Sequence, residues 1–167
     1  MKRKILIILI TFCFIFLSNC ERDDICIEGT EGTPNLIIRF FNSENKDELK
    51  NVPFLLINTL DSTNDEYLTR YVFGSDSISI PLNDNQDYTQ LKFFYDWGSE
   101  NENIDTLKFN HTRIDQYINR ACGYRGKFIL NEIAVEGIGS VGSWIKSFKT
   151  VKDSIFNENS KHLVLYH

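Results

Sequence analysis

The chain has 167 residues, 42% of them apolar and thirteen of them Phe, with 18 Lys and Arg against 23 Asp and Glu. That length and composition suit one domain around one sizeable core rather than two. Nucleic acid is disfavoured as a partner, because phosphate contacts need clustered cations and the run Lys2-Arg3-Lys4 stands alone at the start of an otherwise acidic chain.

Residues 1–20 carry the three-part layout of an export signal: a basic head, an apolar run from Ile5 to Leu17 broken only by Thr11, and Leu17-Ser18-Asn19-Cys20. The run falls short of the roughly 20 residues of a bilayer span, and Glu21-Arg22-Asp23-Asp24 follows at once, so cleavage is favoured over a retained helix. The four closing residues resemble the bacterial lipobox, although Asn19 stands where Gly, Ala or Ser is usual. The resemblance implies that Cys20 is acylated and becomes the new N-terminus, held by two or more acyl chains. An ordinary secreted protein or an uncleaved anchor is the alternative. Residues 21–24 resemble the acidic surface-export tags of Bacteroidota lipoproteins, and a plain solvated tether has the same composition. The expected division is a signal over 1–19, a tether over 20–33 and a folded domain over 34–167. With Lys2, Arg3 and Lys4 gone, 15 of the 18 cations face 23 acids, a net charge of −8.

Cysteine usage follows from the same reading. Cys13 leaves with the signal and Cys20 is spent on lipid, so Cys26 and Cys122 remain in an oxidising compartment and read as one disulfide. Two unpaired buried thiols are the alternative. A bridge closing so long a loop removes unfolded-state entropy equivalent to about 4–5 kcal/mol.

Residues 21–33 are polar, with Gly29, Gly32 and then Pro34, and predict a linker. Residues 35–41 alternate, with Leu36, Ile38 and Phe40 on one face, and suit a strand near the middle of a sheet. A charged connection over 42–51 precedes a second strand over 52–58, with Pro53 near its start. Strands are further predicted over 67–73, 77–82, 88–97 and 104–110. Residues 113–120 read as a separate strand or a helical turn, 128–136 as one or two short strands, 144–151 as a strand and 162–166 as the closing one. Short strands, polar turns and no amphipathic helix argue for an all-β, antiparallel sandwich of Ig-like or Greek-key type, with a barrel as the alternative.

At this point a family likeness enters. Cys20-Glu21-Arg22-Asp23-Asp24-Ile25-Cys26, Thr33-Pro34-Asn35-Leu36-Ile37-Ile38-Arg39-Phe40, Asp76-Ser77-Ile78, Ile104-Asp105-Thr106-Leu107 and Arg120-Ala121-Cys122-Gly123-Tyr124 are similar to landmarks of an uncharacterised Bacteroidota lipoprotein family, a domain of unknown function. The likeness spans essentially the whole chain after the signal. It implies the lipid anchor and the Cys26–Cys122 pairing, and no activity.

Motifs for chemistry are thin. Gly137-Ile138-Gly139-Ser140-Val141-Gly142 matches the dinucleotide pattern, but residues 144–148 read as a strand where pyrophosphate binding needs a helix, so no cofactor is expected. His111, His162 and His167 lack zinc spacing, and the Asp- and Asn-rich turns at 61–66 and 83–87 lack EF-hand spacing, so no metal is expected. Four tripeptides resemble the Asp-Ser/Thr-hydrophobic acceptor of Bacteroidota O-glycosylation, making Ser62, Ser77, Thr106 and Ser154 candidate acceptors, although acidic turns before strands produce the same pattern. No acid, base, nucleophile or metal set converges. The expectation is a non-catalytic outer-membrane lipoprotein, on the periplasmic or cell-surface face, that binds or helps assemble an envelope partner. A second expectation is capture of a glycan or small ligand, with Tyr95, Trp97 and Trp144 as stacking platforms if exposed; an envelope enzyme comes third.

Overall fold

The computed structural model of the chain describes residues 25–59, 69–136 and 142–167, within which lie ten strands and no helix. In β1 (Leu36–Phe41) the alternation works as expected, with Leu36, Ile38 and Phe40 fully buried and Ile37, Arg39 and Phe41 half-buried on the other face. The remaining strands are β2 (Val52–Thr59), β3 (Thr69–Ser75), β4 (Ser77–Ile80), β5 (Tyr88–Tyr95), β6 (Asn103–Asn119), β7 (Gly123–Glu136), β8 (Ser147–Thr150), β9 (Ser154–Ile155) and β10 (Leu163–Tyr166).

They form a four-stranded sheet in the order β4-β1-β10-β8 and a six-stranded sheet in the order β3-β2-β5-β6-β7-β9. Two separate sheets make a sandwich rather than a barrel. Leu36, Ile38, Phe40, Leu163 and Leu165 from the small sheet share one core with Leu55, Ile57, Leu91, Phe93, Leu107, Phe109 and Phe128 from the large one. Each such side chain taken from water contributes about 1.5–3 kcal/mol, which is why period-two alternation decides which face of each strand turns inward.

Three features depart from the sequence expectation. β1 and β10 run parallel, with Ile38 opposite Leu163 and Phe40 opposite Leu165, whereas every other strand pair among the described residues is antiparallel. Parallel neighbours need a long crossover, and here nearly the whole domain is that connection. Next, the stretches predicted as separate strands over 104–110 and 113–120 are one 17-residue strand, β6, paired with the 14-residue β7. The signal breaks because the register shifts between Asn110 and His111, where Asn131 is the extra residue, and because Thr112 to Tyr117 are all exposed, so no core face imposes alternation. Last, the strand expected over 144–151 shrinks to β8, and Trp144 and Ile145 are buried ahead of it in irregular chain.

All three histidines are buried: His111 is 1% exposed, His162 0% and His167 5%. His162 continues the parallel ladder with its side chain. Its Nδ1 accepts the Ile37 N–H at 3.0 Å and its own N–H donates to the Ile37 carbonyl at 2.9 Å. Burial holds all three imidazoles below the ordinary 6.5, and for His162 the nearby Lys152 acts in the same direction. Below 6.5 the unfolded chain therefore binds protons that the folded chain refuses. The stability from these groups is fully present above that pH and is lost as pH falls through the depressed folded values. Urea midpoints are expected to drop steadily below pH 6.5, and His162→Asn, which keeps an acceptor for the Ile37 N–H but cannot titrate, is expected to flatten that slope.

Candidate functional site

One end of the sandwich holds a cavity of about 330 Å³, open to solvent, lined by Lys50, Tyr95, Asn101, Asn103, Ser143, Trp144, Lys146 and His167 among others. The ends of β5 and β10, the start of β6 and the chain just ahead of β2 and β8 converge there.

The clamp that forms one wall is Asp105. It follows the inward alternation of β6 with Leu107 and Phe109, is 4% exposed, and accepts the Ile145 N–H on Oδ2 at 2.8 Å. The Ser143 hydroxyl lies between that same Oδ2, at 2.8 Å, and the Ile145 carbonyl oxygen, at 2.9 Å. A carboxylate so placed folds the chain at 143–145 back onto the sheet and brings Trp144 and Lys146 to the cavity. The Lys146 N–H then donates to the Tyr166 carbonyl at 2.8 Å, leading into β8.

The aromatic wall is a cluster rather than an open shelf. Trp144 packs 5.1 Å from Tyr95 and 5.5 Å from His167, and Phe40 lies behind it at 6.2 Å. The indole is 6% exposed and donates its Nε1–H to the Phe93 carbonyl at 3.2 Å, so it presents an edge to the cavity and no free face for stacking. Tyr95 is half-buried, and burial, reinforced by Asp96, raises its hydroxyl above the ordinary 10.0. Trp97 is 39% exposed but sits in the turn beyond β5, where it meets Phe54 edge-on at 5.4 Å. The three rings therefore do not assemble into one platform.

Two ammonium groups reach the same cavity. Lys50 Nζ donates to the His167 carbonyl at 2.9 Å, and Lys146 Nζ donates to the Ser143 carbonyl. Each ammonium has three donors, so both retain capacity for an anion. The His167 ring, pushed below 6.5 by burial, has Nε2 3.3 Å from the Lys50 carbonyl. It is oriented by the main chain and not by Ser143. The cavity thus gathers lysine and asparagine side chains beside an aromatic wall.

Elsewhere the predicted residues fall apart in space. Cys26 and Cys122 are bridged, with Cα atoms 4.8 Å apart, at the far end of β6 and β7. Cys20, Ser62 and residues 137–141 of the glycine motif lie outside the described residues. Ser77, Thr106 and Ser154 are half-buried in β4, β6 and β9, and in each tripeptide the Asp has structural work: Asp76 pairs with Arg39 at 2.8 Å, Asp105 is the clamp, and the Asp153 carbonyl accepts the Leu130 N–H. Among the described residues no group of three His, Cys, Asp or Glu is placed to hold a metal ion.

Sequence reasoning missed Lys50, Asp105, Lys146 and His167 as neighbours, since they come from separate parts of the chain. A signal existed for Asp105 alone, a carboxylate at an inward position of an alternating strand. Asp105→Ala leaves the Ile145 N–H buried without its acceptor and is expected to cost about 3 kcal/mol. Denaturant unfolding reads that loss, and near-ultraviolet dichroism reads the release of Trp144.

The sequence pattern of a family of unknown function (DUF6452) matches residues 55–167 of the chain. No curated protein and no solved structure matches it.

Proposed function

The chain belongs to the family of unknown function DUF6452, and we propose that it is a non-catalytic binding lipoprotein of the outer membrane, anchored through Cys20. Its ligand is a small anionic molecule of the acidic-sugar class, taken up in the cavity between Lys50, Lys146 and Tyr95. The observation that carries this reading is the convergence of two ammonium groups, two side-chain amides and an aromatic wall on one opening of about 330 Å³, a size in the range of small-molecule sites. The Ser143 hydroxyl and the Asp105 carboxylate are engaged with main chain and with each other, which favours holding over reacting. Calorimetric titration with galacturonate is expected to give saturable binding that weakens with salt and falls at least tenfold in Lys50→Gln/Lys146→Gln, since each charge-assisted hydrogen bond is worth about 1.5–3 kcal/mol. Equal affinity of the double variant would sink the cavity as the site.

A second reading, assembly with an envelope protein, is favoured by the outer face of the large sheet. There Phe73 is 71% exposed and stacks on Phe54 at 4.3 Å, and Trp97 meets Phe54 edge-on at 5.4 Å. Exposed contiguous aromatics of this kind mark interaction surfaces. Mild crosslinking of intact envelopes is then expected to capture a protein partner that Phe73→Ser releases; capture unchanged by that substitution rules the patch out.

A further inference from the structure

We infer that the tip of the β6–β7 hairpin is a lipid-contact surface, which seats the domain upright on the bilayer with the cavity facing away from it. The inference rests on acylated Cys20 and adds a docking face and an orientation to it.

The tether does not leave the domain as a loose string. Cys26 is bridged to Cys122 in the hairpin turn, Glu31 pairs with Arg125 at 2.8 Å, and Thr33 Oγ1 accepts the Gly126 N–H at 3.1 Å. Cys26, Glu31 and Thr33 are therefore each held to the hairpin, and the path toward Cys20 starts at its tip. Five peptide units separate Cys20 from Ile25, a reach of at most about 18 Å. The lipid is thus confined to the neighbourhood of the hairpin turn. β6 runs from Asn103, which lines the cavity, to Asn119, beside the turn, and 17 residues of strand span about 55 Å. The cavity and the anchor are at opposite ends of one strand.

The side chains at the tip suit a headgroup layer. Ile25 and Ile27, on either side of the bridged Cys26, are 78% and 74% exposed. Tyr117 and Tyr124, facing each other across the hairpin, are 55% and 67% exposed with ring centroids 5.3 Å apart. Tyr is the residue type that settles at the membrane–water boundary, with its ring among acyl carbons and its hydroxyl among headgroups, and flanking Ile supplies apolar area. The sequence Glu21-Arg22-Asp23-Asp24 that joins Cys20 to the described chain is net acidic and disfavours an anionic surface, so the proposed contact is interfacial and apolar, not electrostatic. A tethered bilayer is at high effective concentration beside this patch, which no diffusing partner matches.

The native tryptophans make the test specific, because Trp97 and Trp144 both lie at the cavity end. Acylated protein extracted from membranes is reconstituted in phosphatidylethanolamine vesicles carrying lipids brominated in the upper acyl chain, and its intact mass is recorded. Wild-type emission is expected to be unaffected by bromine. The indole introduced by Tyr124→Trp is expected to lose emission several-fold in brominated vesicles, and Ile25→Ser/Ile27→Ser in that background to reduce the quenching. Both isoleucines are exposed, so their loss leaves the core intact. An acylated protein in which Tyr124→Trp adds no quenching, or in which the native tryptophans are quenched equally, overturns the orientation while leaving the anchor standing. A mass without acyl chains overturns the anchor and this inference together.

Discussion

The parallel pairing of β1 with β10 is the constraint on which the rest of the molecule depends. β4 is held to the small sheet only through β1, and β8 only through β10, so separating the two central strands dissolves that sheet into two unsupported pairs. The small sheet is also the lid of the core: without Leu36, Ile38, Phe40, Leu163 and Leu165, the inner face of the large sheet meets water. The pairing joins the beginning of the domain to its end, so its entropic cost falls on nearly the whole chain and is met only when the sandwich closes as a unit. His162, reaching back to the Ile37 N–H, ties the ladder where it begins. The matched family segment begins at residue 55 and omits β1, yet β1 is central to this sheet, so the cooperative unit extends upstream of that segment.

Direction follows from the same pairing. Parallel strands end on the same side, and β1 and β10 both finish where His167 receives Lys50, Ser43 N–H and the edge of Phe40. The cavity lies there because two strand ends, the Asp105 clamp and the end of β5 meet. β1 enters from residues 25–33 at the opposite end, so that stretch and the cavity are separated by the length of the sandwich. The disulfide fixes that separation. Its loop spans 96 residues, enough to constrain the unfolded chain by about 4–5 kcal/mol in the chain-entropy description.

The strands with a core to face were legible. β1, β4 and β5 carry alternating apolar residues, and Leu36, Ile38, Ile78, Ile80, Leu91 and Phe93 at those positions are all buried, whereas β2, an unbroken apolar run, buries the consecutive Leu55, Leu56 and Ile57. The long hairpin was less so, because the outer half of β6 leaves the sandwich and its side chains answer to solvent instead of packing. Trp144 misled as a ligand platform for a related reason. Aromatic content marks area to be buried or offered, and only the Asp105–Ile145 hydrogen bond, with its partners forty residues apart, turns this ring inward.

By itself the sequence determined the fold class, the inward face of the regular strands and the identity of the two bridged cysteines, because each of these depends on local period or on simple counting. Strand order, the parallel closure, the meeting of Lys50 with Lys146 at one cavity and the distance between that cavity and residues 25–33 were decided only in three dimensions. These depend on pairings between segments far apart in the chain, and a strand's own residues say which face is apolar but not which neighbour will cover it.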